Sequence, residues 1–182
     1  FLKLVPPGSL DAGFVREIQN YRMGSATFRI NLALSAAPRF AGVADEEHDT
    51  ALRSIMHVLP DIATNEANHR SAIESEWSRD PYMVIQVASA IDPDLAPPGK
   101  HVMGLLCKYF PYRLSGGRNW DDEKESAADH MLRVVAKHVP NLPDIVLARH
   151  VMSPLDLERI FGLSEGDVFH GRQDLDQVFS LR

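Results

Sequence analysis

The residues of this sequence that can do chemistry are few and scattered. Cys107 is the only cysteine, and eight histidines are spread over 182 residues. Cys107 lies in the apolar run "HVMGLLCKYF" with no activating group beside it, so it reads as a buried, inert thiol. One thiol also excludes an internal disulfide and a cysteine metal cluster. "DEEHD", Asp45 to Asp49, holds metal-ligand residue types. It has no histidine partner four residues on, and consecutive residues point in different directions, so it reads as a solvated charged stretch and no metal is expected. His138 falls at a helix end, where a cation is electrostatically favoured; His57, His101 and His150 fall in strand-like runs. A Ser-His-Asp triad is defined by geometry, and spacing alone identifies none here. No three glycines stand at the G-x-G-x-x-G spacing, and no two are two residues apart, so there is no dinucleotide fingerprint. "PPGK" lacks the upstream glycine and following Ser/Thr of a phosphate loop and reads as a hairpin turn. "SGGR" reads as a plain loop, although its backbone N–H groups are of a kind that can cradle an anion.

The last seventeen residues, "GDVFHGRQDLDQVFSLR", have a different character. A glycine turn leads to Phe169, His170 and Gly171, then to a run that mixes acids with large apolar residues. Such a segment looks like the approach to a partner surface.

The elements that must position these residues follow from periodicity. "SLDAGFVREIQNY" predicts a helix capped by Ser9, with Leu10, Phe14, Ile18 and Tyr21 on one face and Gly24 past its end. "ATFRINLALS" alternates as a half-buried strand, Phe28, Ile30, Leu32 and Leu34 facing one way and Thr27, Arg29, Asn31 and Ala33 the other. "DTALRSIMHVLP" fits either a helix or a strand by periodicity. Asp61 is placed to cap a following helix with Ile62, Ile73 and Trp77 inward. "YMVIQVASAID" and "HVMGLLCKYFPY" are apolar on both faces, as central strands are, and the turn-rich "PDLAPPGK" between them predicts an antiparallel pair. "DDEKESAADHMLRVVAKHV" is the clearest helix, acids first and Lys137 and His138 last, with Ala128, Met131, Leu132 and Val135 as its stripe. "DIVLARHVM" predicts a strand. "SPLDLERIFG" carries a capping Ser153, Pro154 at the first helical position, Asp156 to complete a capping box and Gly162 as a stop. Strands in a run with helices inserted, without regular βαβ alternation, predict an α+β fold: a mixed, largely antiparallel β-sheet with helices packed on one face.

Composition sets the outer bounds. The length fits a single domain, 1–182, and the net charge of −6 offers no basic footprint for nucleic acid. No apolar run is long enough for a transmembrane segment. A lone free thiol suits a reducing, cytoplasmic setting, or an organelle matrix. "FLKLVPPGSL" lacks an initiator methionine and is no signal peptide, so both ends are expected to be internal cuts in a longer protein.

Two long segments, "DPDLAPPGKHVMGLLCKYFPYRLSGGRNWDD" and "MSPLDLERIFGLSEGDVFHGRQDLDQVFSLR", resemble the phytoene-desaturase-like FAD-dependent oxidoreductases. Within them, the resemblance is greatest to the pyridine nucleotide-disulfide oxidoreductase domain-containing protein 2 group. "YRMGSATFRINLALSAAPRF" is similar to that family's entry into its substrate domain, and "SIMHVLPDI" tips residues 52–59 toward strand. The resemblance implies a substrate-binding domain of a larger flavoprotein. A Rossmann-type FAD segment before it and a C-terminal segment returning to the flavin after it are then absent from 1–182, with the cut just after Arg182. The tail resembles the family's "GNIFHG…SLDQLFF-RP" pattern at Phe169, His170, Gly171, Leu175, Asp176 and Gln177, and departs from it at Arg172 and Gln173.

The implied function is hydride transfer between a substrate C–H and flavin, a dehydrogenation or desaturation, with this part orienting an apolar or amphipathic small molecule. The alternatives are a non-catalytic protein-interaction domain of the same fold, or a flavin-dependent isomerase or amine oxidase. FAD is expected in the longer parent and none on residues 1–182 alone. The candidate substrate- or flavin-proximal residues are Phe169, His170, Gly171, Asp176 and Gln177. On this reading Gly171 lets the backbone approach the flavin ring, His170 lines the pocket, and Asp176 and Gln177 brace the same wall. The tail is expected to be loosely held when its partner surface is missing. The two both-faces-apolar strands predict an unshielded apolar patch and a possible homodimer.

Overall fold

A computed structural model of the chain describes residues 2–24 and 26–178. The family-like last residues, 179–182, and the expected cut after Arg182 lie outside the described residues. Five strands form one sheet: β1 (Phe28–Leu34), β2 (Ile55–Val58), β3 (Tyr82–Val87), β4 (His101–Lys108) and β5 (Val146–Met152). Their order is β2-β3-β4-β1-β5, and every neighbouring pair is antiparallel. The fold is α+β as expected, and the sheet among the described residues is wholly antiparallel rather than mixed. Among the described residues six α-helices accompany it: α1 (Ala12–Asn20), α2 (His48–Leu52), α3 (Ile62–Ile73), α4 (Trp120–Ala136), α5 (Leu142–Ile145) and α6 (Pro154–Phe161).

One face of the sheet is sealed. Phe28, Ile30, Leu32 and Leu34 of β1 stand opposite Cys107, Leu105, Met103 and His101 of β4, and Met83, Ile85 and Val87 extend the layer through β3. All except His101 are buried. The buried stripe of α4, Ala127, Ala128, Met131, Val134 and Val135, joins them in one core. Aromatic rings close one end: Phe28 lies 4.8 Å from Phe110 and 5.6 Å from Trp120, and Trp77 stacks on Phe110 at 5.9 Å. Each large side chain removed from water here contributes about 1.5–3 kcal/mol.

The ambiguous run resolves into both elements, a short α2 and the edge strand β2, so the strand falls within the segment favoured by resemblance. α6 carries its full set of signals: the Ser153–Asp156 capping box, Pro154 at the first helical position, and Gly162 in the left-handed conformation at φ +69°. Asp61 caps α3 through the backbone N–H of Thr64.

Three expectations need correcting. α1 is capped by Asp11, not Ser9; the Asp11 carboxylate accepts from Gly13 N at 2.7 Å and Phe14 N at 3.2 Å, and no residue of the helix is buried. Ile62 and Ile73 face outward, 89% and 67% exposed, while Trp77 is inward. Eleven residues apart, the two isoleucines do share one side of α3. The helix instead docks through the opposite side, where buried Asn68 donates to Asp80 O at 2.6 Å and Thr64, Asn65, Ser71 and Ala72 are half-buried. Lastly, the unshielded sheet face is mixed rather than an apolar patch. Its cross-strand rows run Met152–Arg29–Leu106–Val84–His57 and His150–Asn31–Gly104–Gln86–Ile55.

Candidate functional site

The open face is organised by strand alternation. Residues that β1 turns away from the core, Arg29, Asn31 and Ala33, meet Leu106, Gly104 and Val102 of β4. Arg29 Nε donates to Asn31 Oδ1 at 3.3 Å, and Arg29 forms no ion pair among the described residues. None of the five strands contains Asp or Glu. At the β2 edge, His57 Nδ1 and the Tyr82 hydroxyl are 2.7 Å apart, with their rings stacked. Lys108 ends β4 on this same face, opposite Tyr82. Burial lowers the Lys108 pKa, and the neighbouring Asp167 carboxylate offsets part of that effect.

The tail approaches this face at the Lys108 end. Asp167 bridges to Ala26, its carboxylate accepting from Gly24 N at 3.1 Å and from Phe169 N at 2.9 Å. The Lys108 ammonium sits 4.0 Å from the centre of the Phe169 ring. His170 follows, exposed and at φ +58°, its backbone N–H donating to Asp167 O at 3.3 Å. Gly171 is buried at φ +134°, and a Cβ there would overlap the Tyr21 ring. The chain's own Tyr21 thus explains this glycine without a flavin.

Beyond it, Arg172 N donates to Arg22 O at 2.9 Å. Gln177 is buried and closes the strap: its Oε1 accepts from Arg22 N at 2.8 Å, while its Nε2 donates to Arg22 O at 3.1 Å and Arg172 O at 3.2 Å. Asp176 accepts from Arg22 Nη2 at 2.5 Å, and that bond holds its carboxyl below the usual range. The described part of the tail is therefore tied to Arg22, Gly24 and Ala26 rather than loose.

Beside this junction lies a cavity of about 490 Å³. Its walls include His69 and Ile73 of α3, Lys108 and Tyr112 from the end of β4 and its turn, and Arg172 and Asp174 of the tail. Phe169, His170, Gly171, Asp176 and Gln177 are not among its lining residues; Phe169 touches its wall through Lys108, and Asp176 and Gln177 secure the strap. Arg172 and Gln173, where the tail departs from the family pattern, do line it. Sequence reasoning missed Arg29 and Lys108. The legible signal was a strand whose outward positions carry Arg and Asn in a sheet without a single carboxylate.

Elsewhere, Cys107 is fully buried, and burial pushes its pKa up to about 12, which makes it an inert thiol. His48 Nε2 lies 3.1 Å from Pro38 O and Asp49 pairs with Arg53, so "DEEHD" disperses its groups. Among the described residues no three His, Cys, Asp or Glu side chains converge as a metal site, and no helix is long and apolar enough to cross a membrane.

The whole chain is similar to curated proteins from rat and mouse. It is 34% identical over 187 aligned residues to pyridine nucleotide-disulfide oxidoreductase domain-containing protein 2 of Rattus norvegicus, and equally to that of Mus musculus. Both are named for an oxidoreductase domain. The chain spans 32% of the length of each. That similarity supports an oxidoreductase kind and does not single out the phytoene-desaturase-like branch. No protein-family model matches the chain.

The described residues do not fit the dinucleotide half of a flavin. Such a site needs a parallel βαβ unit with glycines at the turn into the helix. Here the sheet is antiparallel, and the helices that come next after strands, α3, α4 and α6, start on Asp61, Asn119 and Ser153, whose side chains already accept from the first-turn N–H groups of Thr64, Asp122 and Asp156.

Proposed function

We propose that this chain is the substrate-binding portion of an FAD-dependent oxidoreductase that takes hydride from a substrate C–H bond. The observation that carries this reading is the full-length similarity to oxidoreductase-named proteins three times as long, combined with a sheet sealed on one face and open on the other. Flavin, held by other parts of the parent, would supply the hydride acceptor. The residues of this chain bind, orient and exclude water. Leu106, Val84 and Val102 offer half-buried apolar surface, suited to an apolar or amphipathic molecule. Phe169 and His170, carried to the Lys108 end of that face by the strap, stand where a substrate would enter.

The test uses the full-length parent purified without added cofactor. It is expected to show bound flavin in its absorption spectrum. His170→Ala is expected to leave flavin content unchanged and lower turnover of a verified substrate. A flavin-free parent that does not take up FAD overturns the reading. Unchanged turnover makes His170 structural and the tail a strap only.

A further inference from the structure

We infer that the centre of the open sheet face is an anion site, built on Arg29, for the carboxylate end of an amphipathic substrate. The inference takes this face as the substrate wall and so rests on the reading above. Four observations carry it.

Arg29 is a half-buried guanidinium in an interior strand, flanked by β4 and β5, and it has no carboxylate partner among the described residues. Its one hydrogen bond, to Asn31, uses Nε and leaves both terminal nitrogens for a fork-like contact. Gly104 makes room for it: a Cβ at that position would come within 3.3 Å of Arg29 Nη2. In a chain of net charge −6, the strands supply to this face the cations Arg29 and Lys108, the histidines His57 and His150, and no acid. The Asp167 carboxylate of the tail stands beside Lys108, which leaves Arg29 as the cation of this face without one among the described residues. Other arginines of the fold show the contrast, since Arg149 is held by Asp129 and Glu125, and Arg159 by Asp121.

A cation left without a partner on a half-buried surface costs desolvation, and a bound carboxylate offsets it. Leu106 and Val84 continue the Arg29 row toward His57, and Val102 lies farther along β4. An anion on Arg29 therefore has half-buried apolar surface beside it for a hydrocarbon tail. The cavity's Lys108, Arg172 and Arg113 are the competing cations; Asp167 stands beside Lys108, Asp174 pairs with Arg172, and Arg113 is exposed.

The probe is decanoate, with decanol as its uncharged counterpart, titrated into the 182-residue chain by calorimetry and by NMR of the arginine Nε–H groups. Decanoate is expected to bind more tightly than decanol and to shift the Arg29 Nε–H resonance in the unsubstituted protein. Arg29→Gln is expected to weaken decanoate about tenfold, the loss of one charge-assisted contact, and to leave decanol unchanged. Arg29→Lys is expected to retain part of the preference, and Arg113→Gln all of it. Equal binding of the two probes, an unshifted Arg29 resonance, or a preference removed by Arg113→Gln and not by Arg29→Gln overturns the inference. The resonance needs no substitution, so a variant that fails to fold does not remove the test. Each of these failures leaves the oxidoreductase reading intact, whereas a flavin-free parent sinks that reading and leaves the decanoate result standing.

Discussion

Gly171 is where the strap that carries Phe169 and His170 can be broken without touching the core. Gly171→Ala forces a side chain into a backbone at φ +134°, which costs about 1–3 kcal/mol. It also drives a Cβ into the Tyr21 ring, and overpacking of that kind costs about 1–3 kcal/mol more. Against this stand the strap's own ties: two hydrogen bonds donated by Gln177, one it accepts from Arg22 N, one donated by Arg172 N and one by Gly24 N, each worth roughly 1 kcal/mol. Cost and restraint are of similar size, so the strap should loosen while the sheet stays folded. A net loss of about 3 kcal/mol lowers Tm by roughly 6–12 °C for a domain of this size. The assays are thermal unfolding and amide hydrogen exchange, with protection lost across residues 167–178 and kept in β1 and β4. In a Tyr21→Ala background the overlap is gone, so Gly171→Ala should cost about 1 kcal/mol less there. An unchanged Tm with unchanged exchange refutes the packing of Gly171 on Tyr21. An equal cost in both backgrounds refutes the overlap as its cause.

Tyr21→Phe should leave Tm unchanged or raise it slightly, because the Tyr21 hydroxyl is buried without a partner among the described residues and removing it relieves an unmet polar group; a clear loss of stability reveals a missing partner. In native protein Cys107 should resist a thiol reagent and react only on unfolding, since burial holds its pKa at about 12; rapid modification of the folded chain contradicts that burial. Asp156 is a pH-sensitive tie: burial raises its pKa, but hydrogen bonds from Ser153 and Lys124 outweigh this and lower it overall. A depressed carboxylate stabilises above its unfolded-state pKa, and that contribution fades as pH falls through the folded value. The Tm drop between neutral pH and about pH 3 should therefore be smaller in Asp156→Asn, and an equal drop removes Asp156 from the account. The homodimer remains a proposal, and its best seat is the exposed edge β2, where Ile55 and Leu59 are 55% and 67% exposed; Ile55→Lys should abolish self-association in sedimentation, and a chain monomeric at high concentration rules the dimer out.

Local signals alone determined much of this protein. The capping box of α6, the Asp61 cap of α3, the alternation of β1 and the acid-first stripe of α4 each needed only neighbours within a few residues, and each formed as expected. The β3–β4 pair was legible because a turn-rich linker joined two apolar runs. Where two nearby groups compete, the local signal was not enough: Ser9 and Asp11 both offer a cap, and Asp11 reaches two N–H groups of the first turn. Tertiary structure decided the rest. Ile62 and Ile73 turned outward because α3 docks through the hydrogen bond of Asn68 to Asp80, a partner no periodicity reveals. Gly171 met Tyr21, and Gln177 met Arg22, across about 150 residues of chain. The open face exists only through register: pairing in the order β2-β3-β4-β1-β5 sets Arg29 beside Leu106 and Met152 and puts Lys108 on the same side. Alternation says which residues share a side of one strand. Only the assembled sheet says which side is sealed and that Arg29 is left without a carboxylate among the described residues.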